Sequence, residues 1–424
     1  MRHTSHSIWR ARLASARRYH DAHAKHERSV KSMKRAEPED IEIPGLDVAK
    51  AKRYSRTKLL VLLLSTLWTV VRLAWFASDR RAARLNASIA RGLPDRRLAA
   101  PAFFTVAMVL SWLSGLPVAF FGDHEVERRF GLTKQSAGGW LGDQAKGLLL
   151  GVLMQTPLLT AAYAVIRRRP RDWWPIIAGA SMPLTVALGN LAPVLLMPLF
   201  NRFQPLRDEP LAARVRALAA RGGVRISDVY EMDMSRQSEK PNAMFTGLGN
   251  TKRIVLGDTL LAQFPEDEVE AVVAHELGHQ VHGDIWRLIG FGAGAGFGMA
   301  WLLSRIAPLA LRRTRQRTGV SDVADEASLP VLALLMTAMG FVLMPVQAAF
   351  SRALERRADK FAVELTRNGE AYAQAMERLA AQALADPDPP RPVVVMLYSH
   401  PPIVDRIRVA RDAGRQFHDE SHVK

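Results

Sequence analysis

Two histidines four residues apart, His275 and His279, bracket a glutamate in the segment His275-Glu276-Leu277-Gly278-His279. On a helix they lie about 40° apart around the axis, so both imidazoles can reach one ion. Glu276, between them, is placed to take a proton from a water that the ion activates, rather than to bind the ion itself. Zinc suits this set, because it takes neutral imidazole and carboxylate, leaves a position for water and lowers that water's pKa towards ~7. The chain has no cysteine, so disulfides are excluded and any metal must use His and carboxylate ligands. A chance occurrence is the rival reading, and helix-start signals argue against it. Pro265 sits at a plausible first helical position, Glu266, Asp267 and Glu268 suit the positive end of a helix dipole, and Ala271-Val272-Val273-Ala274 leads into the histidines.

A catalytic centre needs a third protein ligand. His282 shares a face with His275 and His279, but it lies roughly 10 Å from His275 along a straight helix, too far for one tetrahedral ion. Glu355 is the better candidate, in Ser351-Arg352-Ala353-Leu354-Glu355-Arg356-Arg357-Ala358-Asp359, where the last apolar run ends. Asp359, one turn on, is placed to accept the second ring N–H of a ligand histidine and so fix its tautomer. Alone, Glu355 and Asp359 would read as surface charges on a basic helix; the zinc motif gives them work. His282 is left as a structural histidine or one behind the ligands. Further on, His400 in Ser399-His400-Pro401-Pro402 precedes Arg406. That pair could donate to the oxyanion of a tetrahedral intermediate, and spacing alone leaves it open between this role and a simple loop.

The elements that carry these residues are bound to a membrane. Apolar residues are bunched into six stretches that reach the ~20 residues needed to cross the hydrocarbon: Leu59–Ser78, Ala99–Phe121, Gly147–Ile166, Trp173–Phe200, Leu288–Ser304 and Leu329–Phe350. Pro175, Pro183, Pro193 and Pro198 predict kinks or a break in the fourth. Gly290, Gly292, Gly294, Gly296 and Gly298 in the fifth lack the fingerprint of a phosphate loop and predict close helix packing through small residues. The net charge of +17 and pI near 10.6 raise nucleic acid as a partner. The arginines cluster at the ends of apolar runs, as in Arg167-Arg168-Arg169 and Arg312-Arg313, where anionic headgroups lie, so membrane lipids are preferred and nucleic acid is not expected.

Three regions follow. Residues 1–57 read as a basic polar tail with scattered histidines and no signal-peptide core. Residues 58–200 hold four spans, and residues 201–424 a metallopeptidase domain with the spans 288–304 and 329–350 and a polar C-terminal segment. Within the insert at 201–286, Asp208–Arg221 predicts an amphipathic helix, and Val224–Met232, Ala243–Leu248 and Arg253–Leu256 predict strands, with a turn at Gly249-Asn250. The fold class is therefore mainly α, a polytopic membrane protein of about six transmembrane helices with a small α+β zincin-like catalytic insert.

Other motifs accompany the zinc helix: Glu125-Val126-Glu127-Arg128-Arg129-Phe130-Gly131-Leu132 with Lys134-Gln135, Pro198-Leu199-Phe200-Asn201 with Phe203 and Pro205-Leu206, Pro241-Asn242-Ala243 with Gly247, and Lys252-Arg253-Ile254-Val255-Leu256 with Asp258-Thr259-Leu260-Leu261. Together with the Ser351–Asp359 segment and Ser399-His400-Pro401-Pro402, they resemble, over residues 45–415, the type 1 CAAX prenyl protease family of membrane zinc metallopeptidases. That family's bacterial members include the heat-shock membrane protease, and this chain stands closer to the prenyl-protease branch.

The resemblance implies a mostly helical membrane protein with a large chamber and one zinc held by His275, His279 and Glu355, with Glu276 as general base. It implies that His400 and Arg406 steady substrate and transition state, and that Asn242 and Ala243 lie on the edge strand along which the peptide is held. The eukaryotic enzymes have seven spans, whereas this chain replaces the first with the basic tail; residues 46–57, with Lys50, Lys52 and Tyr54, look like the loop after the missing span. Six spans put both termini and the zinc domain on one side, which the basic tail and the family make cytoplasmic. The arginine-rich loops at 79–98, 167–172 and 305–328 do not favour that assignment. An alanine- and arginine-rich composition suggests the plasma membrane of a bacterium.

The expected activity is that of a zinc endopeptidase cutting membrane-associated or lipidated polypeptides, alternatively a membrane-protein quality-control protease without CAAX specificity. A site-2 type protease would need the motif inside a span and an Asn-Pro-Asp-Gly-like element, which Asp386-Pro387-Asp388-Pro389 does not supply. A scaffold or sensor with structural zinc would need a fourth protein ligand.

Overall fold

The computed structural model describes residues 42–247 and 252–422, so most of the expected tail and the turn at Gly249-Asn250 lie outside the described residues. Among them, six helices are long and apolar enough to cross a bilayer. The first span is α1 (Val48–Ala77), which passes through a short turn into α2 (Arg81–Gly92). The helix starts at Val48, ahead of the apolar run at Leu59: the Asp47 carboxylate accepts the Lys50 N–H at 2.8 Å, and Ala51 and Tyr54 are buried with Val126 and Leu132. Residues 48–57 are thus helix, not tail.

The second span, α3 (Ala99–Ala119), runs through a π turn into α4 (Val126–Phe130). The third is α5 (Ala137–Arg168), capped by Ser136, and the fourth is α6 (Trp173–Leu191). The expected break is present: α6 gives way to a π turn at Ala192–Leu196 and a 3-10 turn at Met197–Leu199. Leu60, Leu63, Leu149 and Leu153 are exposed along these helices, where lipid tails stand in for a protein core.

The insert opens with β1 (Phe203–Pro205), a strand too short to be legible in the sequence, then α7 (Glu209–Arg221) with Asp208 as its cap. β2 (Asp228–Met232), β3 (Ala243–Thr246) and β4 (Arg253–Gly257) complete a sheet of order β1-β2-β4-β3, so β3 is an edge. β2 and β4 run parallel, and the outer pairs antiparallel. A single turn, α8 (Asp258–Leu261), leads to α9 (Glu266–Val281), for which Pro265 is the cap rather than the first helical residue. Arg214 of α7 holds Glu266, Asp267 and Glu270 on the first two turns of α9.

Gly283, at φ +64, turns the chain sharply from α9 into the fifth span, α10 (Asp284–Thr318). The close packing expected of its glycines is not found: a Cβ on Gly290, Gly292, Gly294, Gly296 or Gly298 would meet nothing within 4 Å. Glycines two apart fall about 200° apart around a helix, so they thin both sides of α10 and make no single groove. The last span, α11 (Leu329–Thr366), leaves the apolar zone without a break and carries the charged Ser351–Asp359 segment. It is followed by α12 (Gly369–Ala383), α13 (Arg391–Leu397) and α14 (Ile403–His422).

Candidate metal centre

The backbone of α11 approaches α9 at Gly278, whose missing side chain leaves room for Ala358. That contact sets Glu355, one turn before Ala358, opposite His275 and His279. The two Nε2 atoms are 3.2 Å apart, and the Glu355 carboxylate lies 3.3 Å from His275 Nε2 and 3.5 Å from His279 Nε2. Ligands about 2.0–2.1 Å from a tetrahedral zinc stand about 3.3–3.4 Å from one another, so the three sides match. The chemistry of the donors agrees. Two imidazole nitrogens face each other, and Glu355 Oε2, buried, accepts no hydrogen bond. A cation among them satisfies all three. Among the described residues this is the one cluster of such ligands.

Each histidine is held from behind. Asp359 Oδ1 lies 3.0 Å from His275 Nδ1, and the same carboxylate accepts from Tyr372 Oη at 2.5 Å and from Arg406 Nη2 at 2.6 Å. Tyr372, fully buried, is also 3.1 Å from His275 Nδ1. Burial pushes the Tyr372 pKa well up, so the hydroxyl keeps its proton and donates. Burial also disfavours the charged His275 ring, but the Asp359 and Glu355 carboxylates beside it outweigh that and push its pKa up to about 9. On the other histidine, Asp284 Oδ2 lies 2.9 Å from His279 Nδ1.

Neither Tyr372 nor Asp284 stands in a motif of the sequence. Asp284 stands five residues after His279, a spacing that carries no signal until Gly283 folds the chain back. Tyr372 sits on α12, outside every motif.

Glu276 points to the open edge of the sheet. Burial raises its pKa, against the nearby histidines and the backbone N–H of Phe245 on β3. The Asn242 carbonyl accepts from Gly257 N–H at 2.9 Å, so the pleat leaves the backbone groups of Ala243 and Phe245 on the unpaired side of β3. His400 stands at the mouth, its Nε2 3.4 Å from Glu355 Oε2 and its Nδ1 2.9 Å from Ser399 Oγ. Loss of surrounding water lowers its pKa.

Arg406 reaches the same cluster, with Nη2 4.0 Å from Glu355 Oε2. Its Nε and Nη2 are committed to Asp359 and Tyr372, behind His275, because the buried Asp359 carboxylate is the nearest counter-charge. His282 stays out of the cluster, edge-on to Phe361 with ring centres 5.7 Å apart.

Comparison with known proteins matches two stretches of the chain. Residues 205–413 match the model of peptidase family M48, and residues 28–202 match that of the CAAX prenyl protease N-terminal region, a family region described as five membrane helices. The uncharacterized metalloprotease YhfN of Bacillus subtilis is 30% identical over 375 residues, covering 86% of this chain and 85% of that protein. CAAX prenyl protease 1 of Saccharomyces cerevisiae is 36% identical over 179 residues, 42% of this chain and 39% of the yeast protein. The crystal structure of S. mikatae Ste24p has the same fold, with a TM-score of 0.78 at 24% identity over 87% of this chain and 90% of that one.

Proposed function

The chain belongs to peptidase family M48, and from that premise we propose that it cuts membrane-associated or lipidated polypeptides at a single zinc held by His275, His279 and Glu355. It is a multi-pass integral-membrane metalloendopeptidase. The observation that carries the assignment of ligands is the match of their three separations to a tetrahedral ion, with Glu276 on the same helix. Three protein ligands leave one position open, as catalysis needs and a structural site does not.

Zinc, when bound, would polarise the scissile carbonyl and acidify the attacking water. The chain's own residues do the rest. An extended peptide adds to the open side of β3, pairing with the backbone of Ala243 and with the Phe245 carbonyl, with Asn242 at the strand's start. Glu276 takes the proton of the attacking water and returns it to the leaving amine. With its Nδ1 accepting from Ser399, His400 carries its proton on Nε2 and donates it towards the oxyanion. Arg406 and Tyr372 act through Asp359, which fixes the His275 tautomer so that Nε2 faces the ion.

For location we propose the plasma membrane of a bacterium, with the catalytic insert facing the cytoplasm. A bacterium would lack prenylated CAAX substrates, so turnover of membrane proteins is the role proposed there, with CAAX processing as the alternative. The test is cleavage of a fluorogenic peptide panel, some members prenylated, by detergent-purified protein with its zinc quantified. Glu276→Gln should keep zinc and lose all cleavage, and Glu355→Ala should lose zinc. Unchanged cleavage in Glu276→Gln would return the site to a structural role.

A further inference from the structure

We infer that Asp284 is a positioning residue for His279, and that Arg357 holds it there, an inference that rests on the ligand set proposed above. Asp284 opens the fifth span, and an acid in the first turn of a helix is ordinarily a solvated partner of the helix dipole. This one is only 1% exposed. Both of its oxygens are committed: Oδ2 lies 2.9 Å from His279 Nδ1, and Oδ1 accepts from Arg357 Nη2 at 2.7 Å. Arg287 stands farther off, at 4.0 Å. A carboxylate on Nδ1 keeps the proton there and leaves Nε2 as the free lone pair, which is the atom turned to His275 and Glu355.

The arrangement repeats, with different parts, what Asp359 and Arg406 do for His275. The second copy differs in where its members come from. Asp284 is the first residue of α10, and Arg357 lies on α11 between Glu355 and Asp359. The last two spans are therefore tied to each other through the residue that orients His279. Gly283 makes the tie possible, since its left-handed turn brings the start of α10 back beneath the end of α9.

The experiment is competition for zinc between the full-length protein in detergent and a chelator of known affinity, with thermal unfolding of the metal-free forms run beside it. Asp284→Asn keeps the shape and loses the charge, and should weaken zinc about tenfold; Asp284→Ala should weaken it towards a hundredfold. Metal-free unfolding measures separately what Asp284→Asn costs the fold by leaving Arg357 unpaired; a merely structural role would lower it while leaving the zinc affinity of the folded form unchanged. Arg357→Gln leaves Asp284 in place and should weaken zinc by a smaller factor, giving a second reading if the Asp284 variants fold poorly. Glu355→Gln separates the two levels. If it loses zinc while Asp284→Asn and Arg357→Gln bind as tightly as wild type, the positioning role is overturned and the ligand set stands. If Glu355→Gln binds zinc normally, the ligand set is wrong and the inference falls with it.

Discussion

Gly278 is where the two ligand-bearing helices touch, and Gly278→Ala should disable the site more than the fold. A Cβ added there would lie 3.0 Å from Ala358 Cα, 3.2 Å from Phe361 Cδ1 and 3.3 Å from the Ala358 carbonyl oxygen. Carbon atoms in good contact stand about 3.5–4.0 Å apart, so the α9–α11 contact must open by about half an ångström. Two of the three obstructing atoms are backbone, and no rotamer change relieves them. Glu355 moves with Ala358, away from histidines it now faces at 3.3 and 3.5 Å. Sites of this kind tolerate about 0.5 Å, and a 1 Å misplacement costs roughly a hundredfold. We expect kcat/KM and zinc affinity each to fall about ten- to a hundredfold. Stability should change less, because alanine's helix preference, about 1 kcal/mol, offsets part of an overpacking cost of about 1–3 kcal/mol. Gly294→Ala is the control, at a position where a Cβ meets nothing within 4 Å. It should keep zinc and turnover and gain up to about 1 kcal/mol. The assay is zinc titration of peptide cleavage with thermal unfolding on the same samples. Wild-type zinc affinity and turnover in Gly278→Ala would refute the helix-contact argument, and so would equal damage from Gly294→Ala.

His400 and Arg406 should separate by what they impair. Losing one oxyanion donor costs about 10²–10³ in kcat, so His400→Ala should lower kcat by that much with zinc unchanged, whereas Arg406→Gln should weaken zinc about 10–100-fold through Asp359. Burial raises the Glu276 pKa, and catalysis needs its carboxylate form. Cleavage should therefore be lost, as pH falls, at a higher pH than an ordinary glutamate would set; a pH–rate profile at saturating zinc reads this. Since the chain has no cysteine, one introduced at exposed Arg221 reports orientation: an impermeant maleimide should label inverted but not right-side-out vesicles if the insert is cytoplasmic.

The readings that followed from a helix or bilayer period were legible. A four-residue spacing places His275 and His279 on one face in any helix, and a bilayer demands runs of a length that only six stretches meet. Readings that depend on a turn or on a neighbour were not. Asp284 reaches His279 only because Gly283 adopts φ +64, and its second partner, Arg357, comes from another span. Arg406 stands six residues after His400, a spacing that does not say which carboxylate its guanidinium meets; the fold brings Asp359 to it. The glycines of α10 matched a packing motif by composition, yet only their spacing around the axis says whether they share a face, and it spreads them over two. β1 spans three residues, less than a strand pattern needs to declare itself.

Charge ties the centre to pH. The carboxylates of Glu276, Asp284, Glu355 and Asp359 surround the two histidines, with Arg357 and Arg406 as counter-ions. With all four ionised, two negative charges are left unbalanced, the charge of one dication. Without it the site takes up a proton, which is the physical meaning of a His275 pKa of about 9. Zinc needs that ring neutral, so binding must expel the proton. Apparent affinity should then fall tenfold for each pH unit below about 9, and at pH 7 it should be about a hundredfold below its limit. The metal-free fold behaves in the opposite sense: the raised pKa contributes stability that is full below about 6.5 and is lost as pH rises through about 9. Chelator competition from pH 6.5 to 9.5, corrected for the chelator's own protonation, measures the first trend. Calorimetry in buffers of different ionisation enthalpy should count about one proton released per zinc at pH 7.5. Binding with no proton release would mean that His275 is neutral in the empty site, and the hold of Asp359 on it weaker than the 3.0 Å contact implies.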